Sequence, residues 1–211
     1  MMKRFIFSIF LLPLLLASPQ TKAQGIMLTP KWTAQAQFTG YYVADKLGFY
    51  KEEGIDVCVQ HPAISESSFS FMEKGRAPVV IMNLSYAFME RLAGARVVNV
   101  MQTSQENSLM LISHSPLKGE ESLRNQKIAV WNHLSQKLLD RLAEHYALKQ
   151  VEWIRFNSGV NVFLSGAADP CLVGSYNEYL QLSEYGMNVD SIYSIRLADY
   201  GYNPPEDGVY V

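Results

Sequence analysis

The strongest constraint in this sequence is an alternation of short apolar runs with helical stretches, repeated along the chain, in which most helices close on a glycine. Ile26-Met27-Leu28 reads as a first strand. Gln37 to Leu47 reads as a helix with Phe38, Tyr41, Tyr42 and Val43 on one side, and Gly48 to Gly54 as a short turn-rich helix. Ile55, Val57 and Val59 alternate with Asp56, Cys58 and Gln60, which is strand periodicity. Ser65 to Lys74 is a helix closed by Gly75, Pro78 to Met82 a strand, Leu84 to Ala93 a helix closed by Gly94, and Val97 to Met101 a strand. This β-α-β-α order predicts a parallel sheet covered on both faces.

A second unit of the same kind follows. Ser108 to Ser113 is an extended apolar run and Lys127 to Trp131 a strand. Leu134, Leu138, Leu142 and Tyr146 recur every fourth residue and predict a helix over Leu134 to Ala147. Val151 to Phe156 is a strand, Val160 to Ser165 a short helix, Ala168 to Val173 a strand in which Pro170 marks an edge or a bend, Tyr176 to Tyr185 a helix, and Ser191 to Leu197 a last strand. Tyr200 to Val211, with Pro204-Pro205 and two glycines, reads as a linker.

The N-terminus stands apart. Met1-Met2-Lys3-Arg4 is positive, and Phe5 to Ala17 is an apolar run too short for a membrane span of ~20 residues. With Thr21-Lys22-Ala23 after it, residues 1–23 read as a cleaved signal peptide, which places the mature chain in the periplasm. The chain is 48% hydrophobic and 18% charged with a net charge of −2, a globular composition with no basic surface for nucleic acid. Without residues 1–23 it carries 15 basic and 20 acidic side chains.

Catalytic constellations are sparse. His61, His114, His133 and His145 are scattered without metal-ligand spacing, and the glycines end helices rather than form a phosphate loop. Cys58 and Cys171 fall in different units and read as separate buried thiols. No catalytic residue, metal or cofactor is expected.

Trp32, then Ala36-Gln37-Phe38-Thr39-Gly40-Tyr41-Tyr42-Val43-Ala44, then Gly48-Phe49-Tyr50-Lys51-Glu52-Glu53-Gly54-Ile55-Asp56-Val57 form a long ordered block. With Gly75, Gly94, the strand Lys127-Ile128-Ala129-Val130 and the step Gly166-Ala167-Ala168-Asp169, the block resembles the ABC-transporter periplasmic solute-binding proteins of the SsuA and thiamine-pyrimidine (NMT/THI-like) family. The resemblance spans Ile26 to Val211. It implies an α/β fold of the periplasmic-binding-protein type II class, two α/β lobes joined by a hinge: residues 24–107 as lobe one, 108–198 as lobe two and 199–211 as a return hinge segment. It also implies that the C-terminal part of lobe one is missing, because family members run about a third longer.

In that plan a small molecule is captured between the lobes, and the closed protein, a monomer, is read by an ABC permease and its ATPase, which are its only tie to the membrane. Ligands of open α/β sheets sit beyond the carboxyl ends of the strands. Topology therefore nominates Trp32, Gln37, Tyr41, Asn83, Ser85 and Gln102 from lobe one, and Trp131, Asn132, Asn157, Ser158, Tyr176, Asn177 and Glu178 from lobe two. Asn132 reads equally as a helix cap, and Trp131 as packing between sheet and helix. Trp32, Tyr41, Trp131 and Tyr176 suit a flat ring, with Glu178 accepting from an amino group. This favours a thiamine-pyrimidine precursor. A sulfonate, held by helix N-termini and by Ser135 and Ser158, is the other ligand class, and a ligand-sensing module without transport is the other binding role. Thiamine-pyrimidine synthases share the opening block, but their chemistry needs a lysine, a histidine four residues on and a cysteine motif. Met82 and Tyr86 occupy the first two places, and methionine has no amine for a Schiff base.

Overall fold

The computed structural model describes residues 25–63, 65–117, 123, 126–131, 139–140, 143–144 and 150–211. The expected signal peptide and most of the helix expected over Leu134 to Ala147, Asn132 with it, lie outside the described residues.

Two five-stranded mixed sheets carry the fold. The first is built by β1 (Ile26–Thr29), β2 (Val57–Val59), β3 (Val79–Asn83), β4 (Asn99–Gln102) and β10 (Asp207–Tyr210), in the order β2-β1-β3-β10-β4. The second is built by β5 (Leu109–Ser113), β6 (Lys127–Trp131), β7 (Glu152–Phe156), β8 (Cys171–Gly174) and β9 (Tyr193–Arg196), in the order β7-β6-β8-β5-β9. The described helices are α1 (Thr39–Leu47), α2 (Phe49–Glu52), α3 (Ser68–Glu73), α4 (Leu84–Leu92), α5 (Asn161–Leu164) and α6 (Glu178–Glu184). A 3₁₀ turn, Ala36–Phe38, leads into α1 and buries Phe38 completely.

Local chemistry accounts for these boundaries. Ser67 caps α3 by accepting from the Ser70 amide at 3.1 Å, so that helix starts later than its apolar pattern suggested. Gly48 ends α1 at φ +82°, a left-handed conformation that costs glycine little. Val43, expected on the packed side of α1, is 40% exposed. The helical period from Phe38 runs through Tyr41 and Tyr42 and leaves Val43 to the flank.

Four expectations need correction. The sheets are mixed, not parallel, because β10 runs antiparallel to β3 and β4, and β5 antiparallel to β8 and β9. The C-terminal stretch is not a plain linker: Val209 and Tyr210 are buried in β10, between β3 and β4. Of the edge or bend expected at Pro170, the bend holds and the edge does not. The proline immediately precedes β8, an interior strand, and its carbonyl accepts from Ala129 of β6 at 2.9 Å, a bond that needs no proline N–H. Cys58 is exposed rather than buried, since β2 is the edge of its sheet and Cys58 faces away from Val57 and Val59.

Apolar packing separates with the sheets. The second sheet holds one large buried cluster that includes Ile112, Ile128, Val130, Leu139, Phe163, Val173 and Leu182. The first sheet is packed on its two faces by smaller clusters, one around Phe71, Val80, Met82 and Tyr210, the other around Leu28, Phe38, Ile81 and Val209. The chain crosses between the sheets twice, from β4 to β5 and from β9 back to β10.

Candidate functional site

Strand directions bring one edge of each sheet to the two crossovers. In the first sheet, β1, β3 and β4 end at Thr29, Asn83 and Gln102, and antiparallel β10 begins there at Asp207, in register with Asn83. In the second sheet, β6, β8 and β9 end at Trp131, Gly174 and Arg196, where β5 begins at Leu109. The crossovers are tied to each other: Asn107 donates its amide to Asn203 Oδ1 at 2.6 Å, and Thr103 and Ser104 both donate their amides to the Asp207 carbonyl at 2.9 Å.

Three buried carboxylates collect at this place, Glu178, Glu206 and Asp207. Asp207 Oδ1 lies 2.7 Å from Lys31 Nζ, with both side chains about nine-tenths covered, and Gln37 Nε2 donates to Oδ2 at 3.4 Å. The Gln102 amide and the Thr103 hydroxyl donate to the Asp207 carbonyl at 2.9 and 2.7 Å. Ser108 Oγ sits 2.9 and 2.8 Å from the two oxygens of Glu206. Glu178 accepts from the Gly174 amide at 3.1 Å, from Asn177 Nδ2 at 3.0 Å and from Trp131 Nε1 at 3.3 Å. A carboxylate, which only accepts, is the group that can take all three donors at once.

Aromatic groups frame the carboxylates. Burial raises the Tyr176 phenol well above its ordinary value, and the facing charges of Glu206, Asp207 and Glu178 push the same way. Burial raises Tyr41 as well, partly offset by the Thr103 hydroxyl and reinforced by Asp207. These tyrosines stay neutral beside the acids. The Trp32 indole lies under Lys31 Nζ, 4.6 Å from centroid to nitrogen. Its position is held from behind by His61, whose Nδ1 bonds the Trp32 carbonyl while Nε2 lies 2.6 Å from the Tyr42 hydroxyl. Thr29 Oγ1, Gln35 Oε1 and Gln37 Oε1 are buried in the segment leading into α1 with no hydrogen-bond partner in the structure.

The structure brings together Gln37, Tyr41, Asn83 and Gln102 around Asp207, with Trp32 beside its counter-ion, and Trp131, Asn177 and Glu178 in a second set, with Tyr176 facing both. Trp131 is only 6% exposed and belongs to the buried cluster of its sheet, so its indole N–H edge, not its face, meets the site. Ser85 is exposed on the first turn of α4, and Asn157 and Ser158 are exposed in the loop after β7. Lys31, Ser108, Thr103, Glu206 and Asp207 were not nominated from sequence. The last two escaped because the stretch that carries them read as a linker. A hollow of about 420 Å³ lined by Phe69, Met72, Glu90, Arg96 and Val97 opens at the opposite end of the first sheet, away from this edge.

A protein-family model described as "NMT1/THI5 like" matches residues 35–210. Among curated proteins, the Bacillus subtilis protein YtlA is 24% identical over 189 residues, covering 84% of this chain and 54% of its own length. The 4-amino-5-hydroxymethyl-2-methylpyrimidine phosphate synthase THI13 of Saccharomyces cerevisiae is 19% identical over 160 residues, covering 73% of this chain and 47% of its own length. The chain thus spans about half the length of these curated relatives. Among solved structures, the periplasmic aliphatic sulphonate binding protein SsuA of Escherichia coli superposes with a TM-score of 0.65 at 13% identity, over 89% of this chain and 61% of that one. A nutrient binding protein of Burkholderia cenocepacia, bound to methionine, gives 0.59 at 12% identity over 88% and 84%. Both likenesses establish the fold: the chain has the two-sheet α/β architecture of type II periplasmic binding proteins.

Proposed function

The chain belongs to the NMT1/THI5-like family, and from that membership we propose that it is an extracytoplasmic solute-binding protein, not an enzyme, that takes up a small molecule where the edges of its two sheets meet. Residues 24–107 act as one lobe, 108–198 as the other and 199–211 as the return hinge. Closure around the solute presents a shape that an ABC permease and its ATPase read. The observation that carries this reading is the convergence of Glu178, Glu206 and Asp207 with Trp32, Tyr41 and Tyr176 at the two crossovers. The carboxylates concentrated there belong to neither sheet's apolar clusters, while Trp32 and Tyr41 pack at the border of one, an arrangement that suits a ligand rather than a core.

The chemistry of the place favours a ligand rich in hydrogen-bond donors. Carboxylates and the unpartnered carbonyl oxygens of Gln35 and Gln37 accept, while Lys31 is the one ammonium described among them. A flat amino-substituted ring such as a thiamine-pyrimidine precursor offers an amine to the acids and a face to Trp32 or Tyr176. A sulfonate carries only acceptors and matches this lining less well. The synthase reading is disfavoured by Met82, which is fully buried within β3 and has no amine to offer a carbonyl cofactor.

The test is a thermal-shift and calorimetry panel on the purified chain: hydroxymethyl- and formylamino-pyrimidines, thiamine, taurine and alkanesulfonates. A ligand at a hundred times its Kd stabilises by about 2.7 kcal/mol, and a micromolar Kd corresponds to about −8.2 kcal/mol. The amino-pyrimidines are expected to shift the melt and the sulfonates not. Binding weakened about tenfold in Trp32→Ala supports ring stacking. A panel in which nothing shifts the wild-type melt overturns the reading.

A further inference from the structure

The contact between Lys31 and Asp207 has the form of a recognition site already occupied. Nζ of Lys31 lies 2.7 Å from Asp207 Oδ1 and 4.6 Å over the centre of the Trp32 indole, and only 8% and 10% of the two charged side chains is exposed. A carboxylate on one side of an ammonium and an indole face on another is how proteins hold cationic amines. A buried ion pair is a weak source of stability compared with apolar packing of the same volume. This one lies at the edge where the sheets meet. Beside it in sequence, Thr29 Oγ1, Gln35 Oε1, Gln37 Oε1 and the Tyr41 hydroxyl are buried with no hydrogen-bond partner in the structure, so the place holds polar atoms, two of them pure acceptors, that a ligand can pair.

We infer that Trp32 and Asp207 form an ammonium-binding cage that Lys31 fills as an internal stand-in, and that a ligand bearing a cationic or donor-rich amine displaces it. Lys31 is then a specificity-determining residue. Its ammonium neutralises Asp207 when no ligand is present, and it competes with the ligand's amine for the same oxygens. The displacement half of this inference rests on the ligand-site reading above; the cage itself does not.

The experiment exploits the atoms that Lys31→Ala removes, Cγ to Nζ, which together make n-propylammonium. Melting of K31A is followed against n-propylammonium chloride at constant ionic strength, with n-propanol as the neutral control. A saturable rise in Tm is expected for K31A with the ammonium only, and none for wild type, for K31M, whose side chain refills the space, or for K31A/D207N. Should K31A be unfolded alone, recovery of a cooperative melt on adding n-propylammonium is the same positive result. A K31A chain that no concentration of the ammonium stabilises or refolds, or a rise of equal size in K31A/D207N, overturns the cage.

A second arm measures 4-amino-5-hydroxymethyl-2-methylpyrimidine against wild type and K31A. Binding about tenfold tighter in K31A supports displacement, and equal binding overturns it. If propylammonium restores K31A while no pyrimidine binds either form, the cage stands and the proposed ligand falls.

Discussion

Replacing Tyr210 by alanine tests the most consequential feature of the architecture, the insertion of the C-terminal strand into the middle of the first sheet. Tyr210 is 2% exposed and packs with Phe71, Val80, Met82 and Val97, while its hydroxyl accepts from Asn99 Nδ2 at 3.1 Å. Truncating a buried aromatic ring to alanine costs about 3–5 kcal/mol, of which one hydrogen bond is about 1 kcal/mol. Tyr210→Phe keeps the ring and loses only that bond, and Asn99, an exposed residue, recovers it from water, so about 1 kcal/mol or less is expected. Against a total of about 5–15 kcal/mol for a folded domain, the alanine loss is a large share. Urea melts followed by far-UV circular dichroism and tryptophan fluorescence read both variants. With m near ~2 kcal/mol/M, Y210A moves the midpoint down by about 1.5–2.5 M and Y210F by about 0.5 M at most. If the two sheets melt separately, only the transition reported by Trp32 moves. A Y210A midpoint within about 0.5 M of wild type refutes the central placement of β10.

Three further outcomes follow from buried groups. Glu178→Gln is expected to cost about 1–3 kcal/mol in the same melts, because whichever way the amide turns, its NH₂ meets a donor, either the Gly174 amide or Trp131 Nε1 and Asn177; a variant as stable as wild type would remove Glu178 from that role. Burial pushes the Cys171 thiol up to about 12, with the Glu178 and Asp169 charges adding, while Cys58 is exposed. A thiol reagent at pH 8 should therefore label one cysteine at once and the second only after denaturation, and two fast equivalents would contradict the burial. Tyr41, Tyr176 and Tyr202 have their phenols raised by burial above the ordinary 10 in the folded chain. The folded state holds protons that the unfolded state releases near pH 10, so this contribution is intact below that pH and is lost as pH climbs from 10 through the raised values. Denaturation midpoints should fall as pH rises above about 10, with tyrosinate absorbance lagging behind free tyrosine, and a flat stability profile would refute it.

Much of the scaffold was readable because its elements carry local signals. Ile26 to Leu28, the run from Val79 to Met82 and the run from Leu109 to Ser113 are apolar and β-branched in part, and the glycines at 48, 75, 94 and 186 take the left-handed conformation that helix ends use. β10 carries a weaker local signal. It starts with Asp207-Gly208, a pair typical of turns, after two prolines, and its partners β3 and β4 lie more than a hundred residues earlier. What holds it is long-range pairing, which no window of sequence displays. Val209-Tyr210-Val211 was the available sign, a β-branched and aromatic run with strand propensity. Glu206 and Asp207 are hidden in the sequence for the same reason. The exposure of Cys58 has a different cause. Its strand was identified by the alternation of Val57 and Val59, and that alternation itself puts Cys58 on the other face, which at a sheet edge is exposed.

The two neighbouring acids also give a physical reason for the proposal that a binding place and a hinge coincide here. Side chains alternate along an extended segment, so consecutive residues address different surroundings. Glu206 turns to Ser108, at the entrance of the second sheet, and Asp207 turns to Lys31 and Gln37, at the exit of the first. The backbone at the same point is equally divided: the Glu206 carbonyl accepts from Leu84 at 2.8 Å, and the Asp207 carbonyl takes the donors of Thr103, Ser104 and Gln102 from the other crossover. A rotation of one sheet relative to the other through these crossovers has to stretch or exchange bonds made by these two residues. A ligand that engages either carboxylate therefore acts on the same bonds that set the angle between the sheets. Its preference for one angle over another needs no relay through either core, because the energy difference a ligand must supply to shift such an equilibrium is created where it binds.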